Sequence, residues 1–362
     1  MSVCDQELAQ QKGHSGDWSM EGALERQALF RAKLRRLAEH LKKTAKKADR
    51  MTTALRKMIV GNGEYSLSRG DKTQMPVNPA LEIGSVIPER AKVYKSAKLP
   101  LRLLFKVTPA PLHLLRQSGN EQTENKSAFS SKHVLGVLFK HGDDLRQDQL
   151  VMQMVKFMDF LLRSVNVDLR FSPYQALATT KDDGFVEFVD NSETIFDILA
   201  QHGDKIGRYL DKCAEEVGDP GARERIQENF IRSCAGYCAV TYILGVGDRH
   251  LENLLIEREG HLFHIDFGFI LGKNPPGKIL PAPIRICKQM VEAMGGKDSQ
   301  GYTRFEQMCV QAFLFLRQHA KFLMNLLHLM IHAGIKDLAD NPGLRLRKMY
   351  EKFMPAKTRQ EA

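Results

Sequence analysis

One run decides most of what this chain can become. From Val240 to Leu271 it reads VTYILGVGDRHLENLLIEREGHLFHIDFGFIL, with two polar clusters set in an apolar segment: Asp248, Arg249, His250 and Asn253, then Asp266, Phe267 and Gly268. Between the clusters, Leu254 to Ile256 and Leu262 to Ile265 are short apolar runs joined by Glu257, Arg258, Glu259 and Gly260, the pattern of two strands and a tight turn. A hairpin returns the chain to its start. Asn253 and Asp266 are therefore expected side by side, offering an amide oxygen and a carboxylate to one hard cation. Gly268, shortly after Asp266, is expected to let the backbone turn where a side chain would block a phosphate.

Oxygen ligands of this kind suit Mg²⁺, which phosphoryl transfer shares with nucleotide phosphates. The arrangement resembles the catalytic and metal-binding loops of a kinase, with one departure. Protein kinases usually carry HRD with Asn five residues on, whereas here the order is DRH and Asn253 follows His250 by three. That inverted order is similar to the phosphatidylinositol 3-/4-kinase superfamily. Taken singly, GDRH is a polar turn and IDFG a strand end with a capping Asp; their hairpin spacing is what neither local reading explains.

No apolar run approaches the roughly 18 residues of a membrane span, and the start, MSVCDQELAQQKGHSGDW, lacks a signal-peptide core. A soluble or peripheral protein is expected. The six cysteines (4, 213, 234, 238, 287 and 309) include no CxxC pair and read as core thiols of a reducing compartment, not as a disulfide or zinc framework. Lys and Arg total 53 against 43 Asp and Glu, a net charge of +10. Such a surface fits nucleic acid and anionic lipid alike.

Residues 1–19 show no apolar period and read as disordered. From Met20 to Ile59 the positions Leu34, Leu37, Leu41, Ala45, Ala48, Met51, Leu55 and Met58 recur every three or four residues, predicting one long helix. Its basic faces read as the solvated side of a docked helix; no aromatic residues interleave with the charges, which argues against a nucleic-acid partner. Residues 61–80 read as a linker. Strands are expected at Ile83 to Ile87, Ala91 to Tyr94, Leu101 to Val107 and Val134 to Lys140, with a polar insertion at 117–132 inside the connection 108–133. A helix follows from Asp148 to Arg163, then strands at Tyr174 to Thr179 and Gly184 to Val189. After 190 the chain turns helical: Thr194 to Gln201, Arg223 to Leu244, Tyr302 to Ala333 and Gly343 to Phe353. That order predicts an α+β, bilobal kinase-like fold: a small antiparallel-sheet N-lobe (81–190), a larger helical C-lobe (191–355), a preceding basic helix (20–60) and a tail (356–362).

Lys140 ends an apolar strand and is followed by HGDDLRQDQ, which opens a helix bearing Asp148. A lysine there can reach nucleotide phosphates, and the carboxylate can hold its ammonium, although a strand-end lysine near a capping Asp is common in any α/β protein. Here the likeness becomes specific. YKSAKLPLRLLFK (94–106), FKHGDDLRQDQ (139–149), SPYQALATT (172–180), SCAGYCAVTYILGVGDRHLENLL (233–255), LFHIDFGFILG (262–272) and KQMVEAMGG (288–296) resemble, in order, the kinase domain of class III phosphatidylinositol 3-kinase, and residues 20–60 resemble the end of that family's helical domain.

The resemblance implies roles. Ser96 and Ala97 would lie in the phosphate-binding loop, Lys140 would contact ATP phosphates, and Asp148 and Tyr174 would line the pocket. Glu187 and Val189 would form the hinge that meets adenine. Asn253 and Asp266 would ligate Mg²⁺ or Mn²⁺, and Asp248 and His250 would serve the inositol hydroxyl, with the general base open between them. Lys273, Lys278, Arg285 and Lys288, dispersed among prolines, would meet a single lipid phosphodiester, implying phosphatidylinositol as substrate and its 3-phosphate as product. A phosphatidylinositol 4-kinase or related protein kinase, and a noncatalytic scaffold, are the rival readings. The family's C2 domain, most of its helical domain and its terminal helical region are not matched. The implied partners are the large regulatory kinase-like subunit of the vacuolar sorting complex and a Beclin-type adaptor, on endosomal or autophagic membranes.

Overall fold

The computed structural model describes residues 20–44, 47–67, 73–96, 98–110, 134–277, 284–358 and 360–361. The expected disordered start, the insertion at 117–132, and the expected site positions Ala97 and Lys278 lie outside the described residues. The chain forms two compact units, Met1–Leu145 with Gln175–Phe188, and Arg146–Tyr174 with Val189–Ala362.

The first unit opens with helices α1 (Met20–Thr44) and α2 (Ala48–Met58). One continuous helix was expected, but Lys47 is extended at φ −115°, ψ 135°. The apolar stripe reads as unbroken because both helices bury it in the same core, which takes Phe30, Leu34, Leu37 and Leu41 from α1 and Met51 and Leu55 from α2. Strands β1 (Gln74–Met75), β2 (Asn78–Val86), β3 (Lys92–Val93), β4 (Leu101–Pro109), β5 (Val134–His141), β6 (Ala176–Ala178) and β7 (Asp183–Phe188) make one antiparallel sheet, ordered β1-β2-β4-β5-β7-β6 with β3 on β4. The first two strands begin inside the stretch read as linker.

Alternation sets the sheet's inner face: Leu101, Leu103, Phe105 and Val107 of β4 are buried at period two, while Lys106 is exposed. Phe30 of α1 closes over that face, edge-on to Phe105 at 5.8 Å and stacked on Phe185 at 6.1 Å. Each such side chain contributes about 1.5–3 kcal/mol on burial. Several basic residues of the helices are tethers: Lys33 donates to Ser66 O at 3.2 Å, Lys42 to His141 O at 3.3 Å and Arg56 to Ala91 O at 2.9 Å. Helix α1 is thereby part of this unit's core.

The second unit comprises α3 (Arg146–Arg163), β8 (Ser192–Thr194), α4 (Ile195–Gln201), α5 (Ile206–Val217), α6 (Ala222–Leu244), β9 (Leu254–Glu257), β10 (Leu262–His264), α7 (Lys288–Ala293), α8 (Gln300–Gln318), α9 (Ala320–Leu329), α10 (Lys336–Ala339) and α11 (Pro342–Lys352). Helix α6 is buried on nearly every side from Ser233 to Leu244, as expected of a helix apolar all round. The helix expected at 302–333 is α8, α9 and a 3₁₀ turn at Ile331–Ala333, parted at His319, where the backbone leaves helical geometry and the ring packs on Phe315 at 4.9 Å. Strands β10, β9 and β8 form a second sheet in that order. The architecture is α+β. Among the described residues no helix is long and apolar enough to cross a membrane, and Cys213, Cys234, Cys238, Cys287 and Cys309 are free.

Candidate functional site

The expected hairpin forms, with Leu262 opposite Ile256, Phe263 opposite Leu255 and His264 opposite Leu254. Its register carries one step further, because Ile265 N donates to Asn253 O at 3.1 Å. The residue before Asp266 is thus bonded to Asn253 itself. The loop after α6 is laced to the strand's continuation by Gly247 N to Phe269 O, Leu271 N to Leu244 O and Gly272 N to Gly245 O, each at 2.9 Å.

Arg249 closes the arrangement. Its guanidinium donates to Gly247 O at 2.9 Å, to Ile265 O at 2.7 Å and to Asp266 O, and lies 5.4 Å from the Phe267 ring centroid. Burial pushes Arg249 down from the usual guanidinium range, and the Asp266 carboxylate opposes that. Asn253 is 6% exposed and donates from Nδ2 to Asp248 O at 3.1 Å, so its amide is oriented with the nitrogen engaged. His250 N also donates to Asp248 O, at 3.2 Å, while its ring is 44% exposed with Nδ1 3.8 Å from Glu252. Asp248, His250, Asn253 and Asp266 are brought together.

Both aspartates have left-handed backbone, Asp248 at φ 52° and Asp266 at φ 58°. The turn expected at Gly268 is therefore made at Asp266, a residue type that tolerates this conformation. A Cβ at Gly268 would stand 3.3 Å from Asp266 Oδ1, which instead accepts the Gly268 N–H at 3.2 Å. The missing side chain keeps that carboxylate face open.

Beneath this, Asp148 on α3 is 9% exposed and accepts the Phe267 N–H at 3.3 Å. Its neighbour Gln147 donates to Phe267 O at 2.7 Å. Tyr174 is buried edge-on to Phe263 at 6.2 Å, and burial, reinforced by Asp148, pushes its phenol well above the usual value. Val189 O accepts from Ser192 Oγ at 2.8 Å. Of the expected lipid-facing cations, Lys273 is 19% exposed and paired with Asp337 at 3.2 Å and Asp340 at 2.6 Å. Arg285 is exposed, and Lys288 is 83% exposed and pairs with Glu292 at 3.4 Å.

In the first unit, Lys140 lies on β5 opposite Gly184, its ammonium 3.5 Å from Asp143. Glu187 on β7, opposite Val137 of β5, exchanges bonds with Gln175: its N–H donates to Gln175 O at 2.8 Å, and its carboxylate accepts the Gln175 N–H at 3.0 Å. Ser96 sits in the β3–β4 connection, its N–H on Tyr94 O at 3.0 Å and its carbonyl accepting the Leu99 N–H at 3.1 Å.

Three residues to which sequence reasoning gave no role hold these elements: Arg249, Gln147 and Asp337. The first two left a signal, since Arg249 stands between two polar site residues and Gln147 beside Asp148. Asp337 left none. Among the described residues no group of three or more His, Cys, Asp or Glu could hold a metal ion alone. Asn253 and Asp266 offer two hard oxygen donors, which would fit a Mg²⁺ or Mn²⁺ ion that takes its other ligands from elsewhere.

The family model for phosphatidylinositol 3- and 4-kinase matches residues 135–340, more than half of the chain. Phosphatidylinositol 3-kinase, root isoform, from Glycine max is 39% identical over 332 residues, 91% of this chain and 38% of that protein. Phosphatidylinositol 3-kinase VPS34 from Arabidopsis thaliana gives the same figures. The protein of that name from Saccharomyces cerevisiae is 39% identical over 280 residues, 77% of this chain and 29% of its own length. The chain spans well under half the length of these curated relatives.

Proposed function

Because the chain belongs to the phosphatidylinositol 3- and 4-kinase family, we propose that it transfers the γ-phosphate of ATP to the 3-hydroxyl of phosphatidylinositol, giving phosphatidylinositol 3-phosphate. The observation that carries this reading is the Arg249 bonding to Ile265 O and Asp266 O, which sets the Asp248–His250 loop against the Asn253–Asp266 pair. ATP use follows from family membership, and the choice of the 3-position rests on relatives that carry the name phosphatidylinositol 3-kinase.

In this reading Asn253 and Asp266 hold Mg²⁺ or Mn²⁺, which when bound neutralises charge on the β- and γ-phosphates. Lys140 supplies a point charge to the same phosphates, with Ser96 in the loop that faces them and Glu187 and Val189 at the adenine. Asp148 holds the Phe267 amide, and so the turn at Asp266, in place. Asp248 and His250 meet the inositol hydroxyl, one taking its proton and the other orienting it. Arg285 and Lys288 face the lipid phosphodiester. The setting is an endosomal or autophagic membrane to which the protein binds peripherally, with a regulatory kinase-like subunit and a Beclin-type adaptor as partners.

The test is lipid kinase activity of the purified chain on phosphatidylinositol vesicles with labelled ATP and Mg²⁺ or Mn²⁺, separating product isomers. A 3-phosphate that vanishes in Asp266→Ala is expected. A 4-phosphate, or phosphorylated protein without lipid product, overturns the assignment.

A further inference from the structure

The segment that follows Asp266 runs through a buried polar node. Asp337, at the start of α10, is 0% exposed, and its carboxylate accepts the Ile270 N–H at 2.9 Å and Gln147 Nε2 at 3.0 Å while Lys273 Nζ stands 3.2 Å away. Gln147, 6% exposed, returns the bond by accepting the Asp337 N–H at 3.0 Å, and its amide also reaches Phe267 O at 2.7 Å. Lys273 takes a second carboxylate, Asp340, at 2.6 Å, and Asp340 is shared with Arg345 at 3.4 Å.

Burying a carboxylate costs several kcal/mol unless charge and donors meet it. Here two of the three donors, the Ile270 amide and the Lys273 ammonium, come from the stretch that follows the candidate cation ligand, and the third, Gln147 Nε2, also meets Phe267 O, one residue after that ligand. A lysine shared by two carboxylates also has little charge left to offer a phosphate.

We propose that Asp337 is a positioning residue for the Asp266 loop, and that Lys273 closes this node as its counter-charge and is not a ligand of the lipid phosphate. The first half rests on Asp266 as a cation ligand; the second moves substrate recognition to the exposed Arg285 and Lys288.

The experiment uses the purified chain with Asp337→Asn, which keeps size and one acceptor, and with Lys273→Gln and Lys273→Arg. Three readouts are taken: hydrogen–deuterium exchange at residues 267–272, Mn²⁺ binding with ATP by electron paramagnetic resonance, and cosedimentation with phosphatidylinositol vesicles. Asp337→Asn and Lys273→Gln should exchange faster at 267–272 and lose about tenfold or more in Mn²⁺ affinity, with vesicle binding unchanged and Lys273→Arg restoring both. Unchanged exchange in both variants overturns the proposal, as does a Lys273→Gln protein whose only loss is vesicle binding. If the unaltered chain binds no Mn²⁺, the cation reading fails, and exchange alone decides whether the node holds the loop.

Discussion

Arg249 donates to the carbonyl of Ile265 at 2.7 Å and to that of Asp266, so the residue between Asp248 and His250 holds the strand that carries the other polar cluster. Its three carbonyl partners are met by three different nitrogens, Nε, Nη1 and Nη2, which a planar guanidinium supplies and a single ammonium does not. Arg249→Lys should therefore fail nearly as badly as Arg249→Met. Displacing catalytic groups by about 1 Å can cost on the order of 100-fold in rate. Lipid kinase turnover measured beside thermal unfolding would show that loss in a protein that still folds; a Lys variant with near-normal turnover would remove Arg249 from the mechanism.

Asp183, at the start of β7, is another buried carboxylate that organises its surroundings. Its side chain is 0% exposed, with His141 Nδ1 at 2.5 Å and Arg31 Nη1 at 3.3 Å, and Glu39 stands 3.5 Å from the other side of the His141 ring. Arg31 and Glu39 come from α1, His141 from the end of the strand that carries Lys140. Arg31→Met removes a charged donor from a carboxylate that water cannot reach, a loss of about 1.5–3 kcal/mol. The urea midpoint should fall accordingly; a change within error would mean that the Arg31–Asp183 pair adds nothing to the apolar packing and the lysine tethers that hold α1.

Gly236 sits in α6 where a Cβ would lie 2.6 Å from Phe171 Cζ. The ring cannot retreat freely, being packed edge-on to Tyr237 at 5.2 Å. Gly236→Ala gains helix propensity of roughly 1 kcal/mol but overpacks at a cost of about 1–3 kcal/mol. Net destabilisation in a denaturation series is the expected sign. A stabilised variant would show that the Phe171 segment yields.

Local pattern made the hairpin legible, because two polar clusters bracket two apolar runs and leave a single register that pairs Leu254 with His264. Strands β4 and β5 were legible for the same reason. What pattern could not show was anything decided by partners distant in sequence. The break at Lys47 hides because both helices bury their stripes in one core. Lys273 reads as a free cation among prolines until Asp337 and Asp340 are brought to it. The turn assigned to Gly268 belongs to Asp266 because the Phe267 amide is drawn to Asp148, a constraint written on another helix.

Lys352, at the end of α11, supplies a pH dependence with a defined sign. Its ammonium donates to Tyr242 O at 2.7 Å near the C-terminal end of α6, yet burial lowers its pKa from 10.5 to about 8. Below about 8 the folded and unfolded chains both hold the proton, and the cost of burying the charge is present in full. Between about 8 and 10.5 the folded chain releases the proton while the unfolded chain keeps it, so unfolding free energy rises with pH across that window. Lys352→Met should be the more stable protein at pH 7 and should lose that rise, as read from urea unfolding at a series of pH values. A parallel pH curve for the variant would mean that the Tyr242 carbonyl and the helix end compensate the burial, leaving Lys352 with its ordinary affinity for the proton.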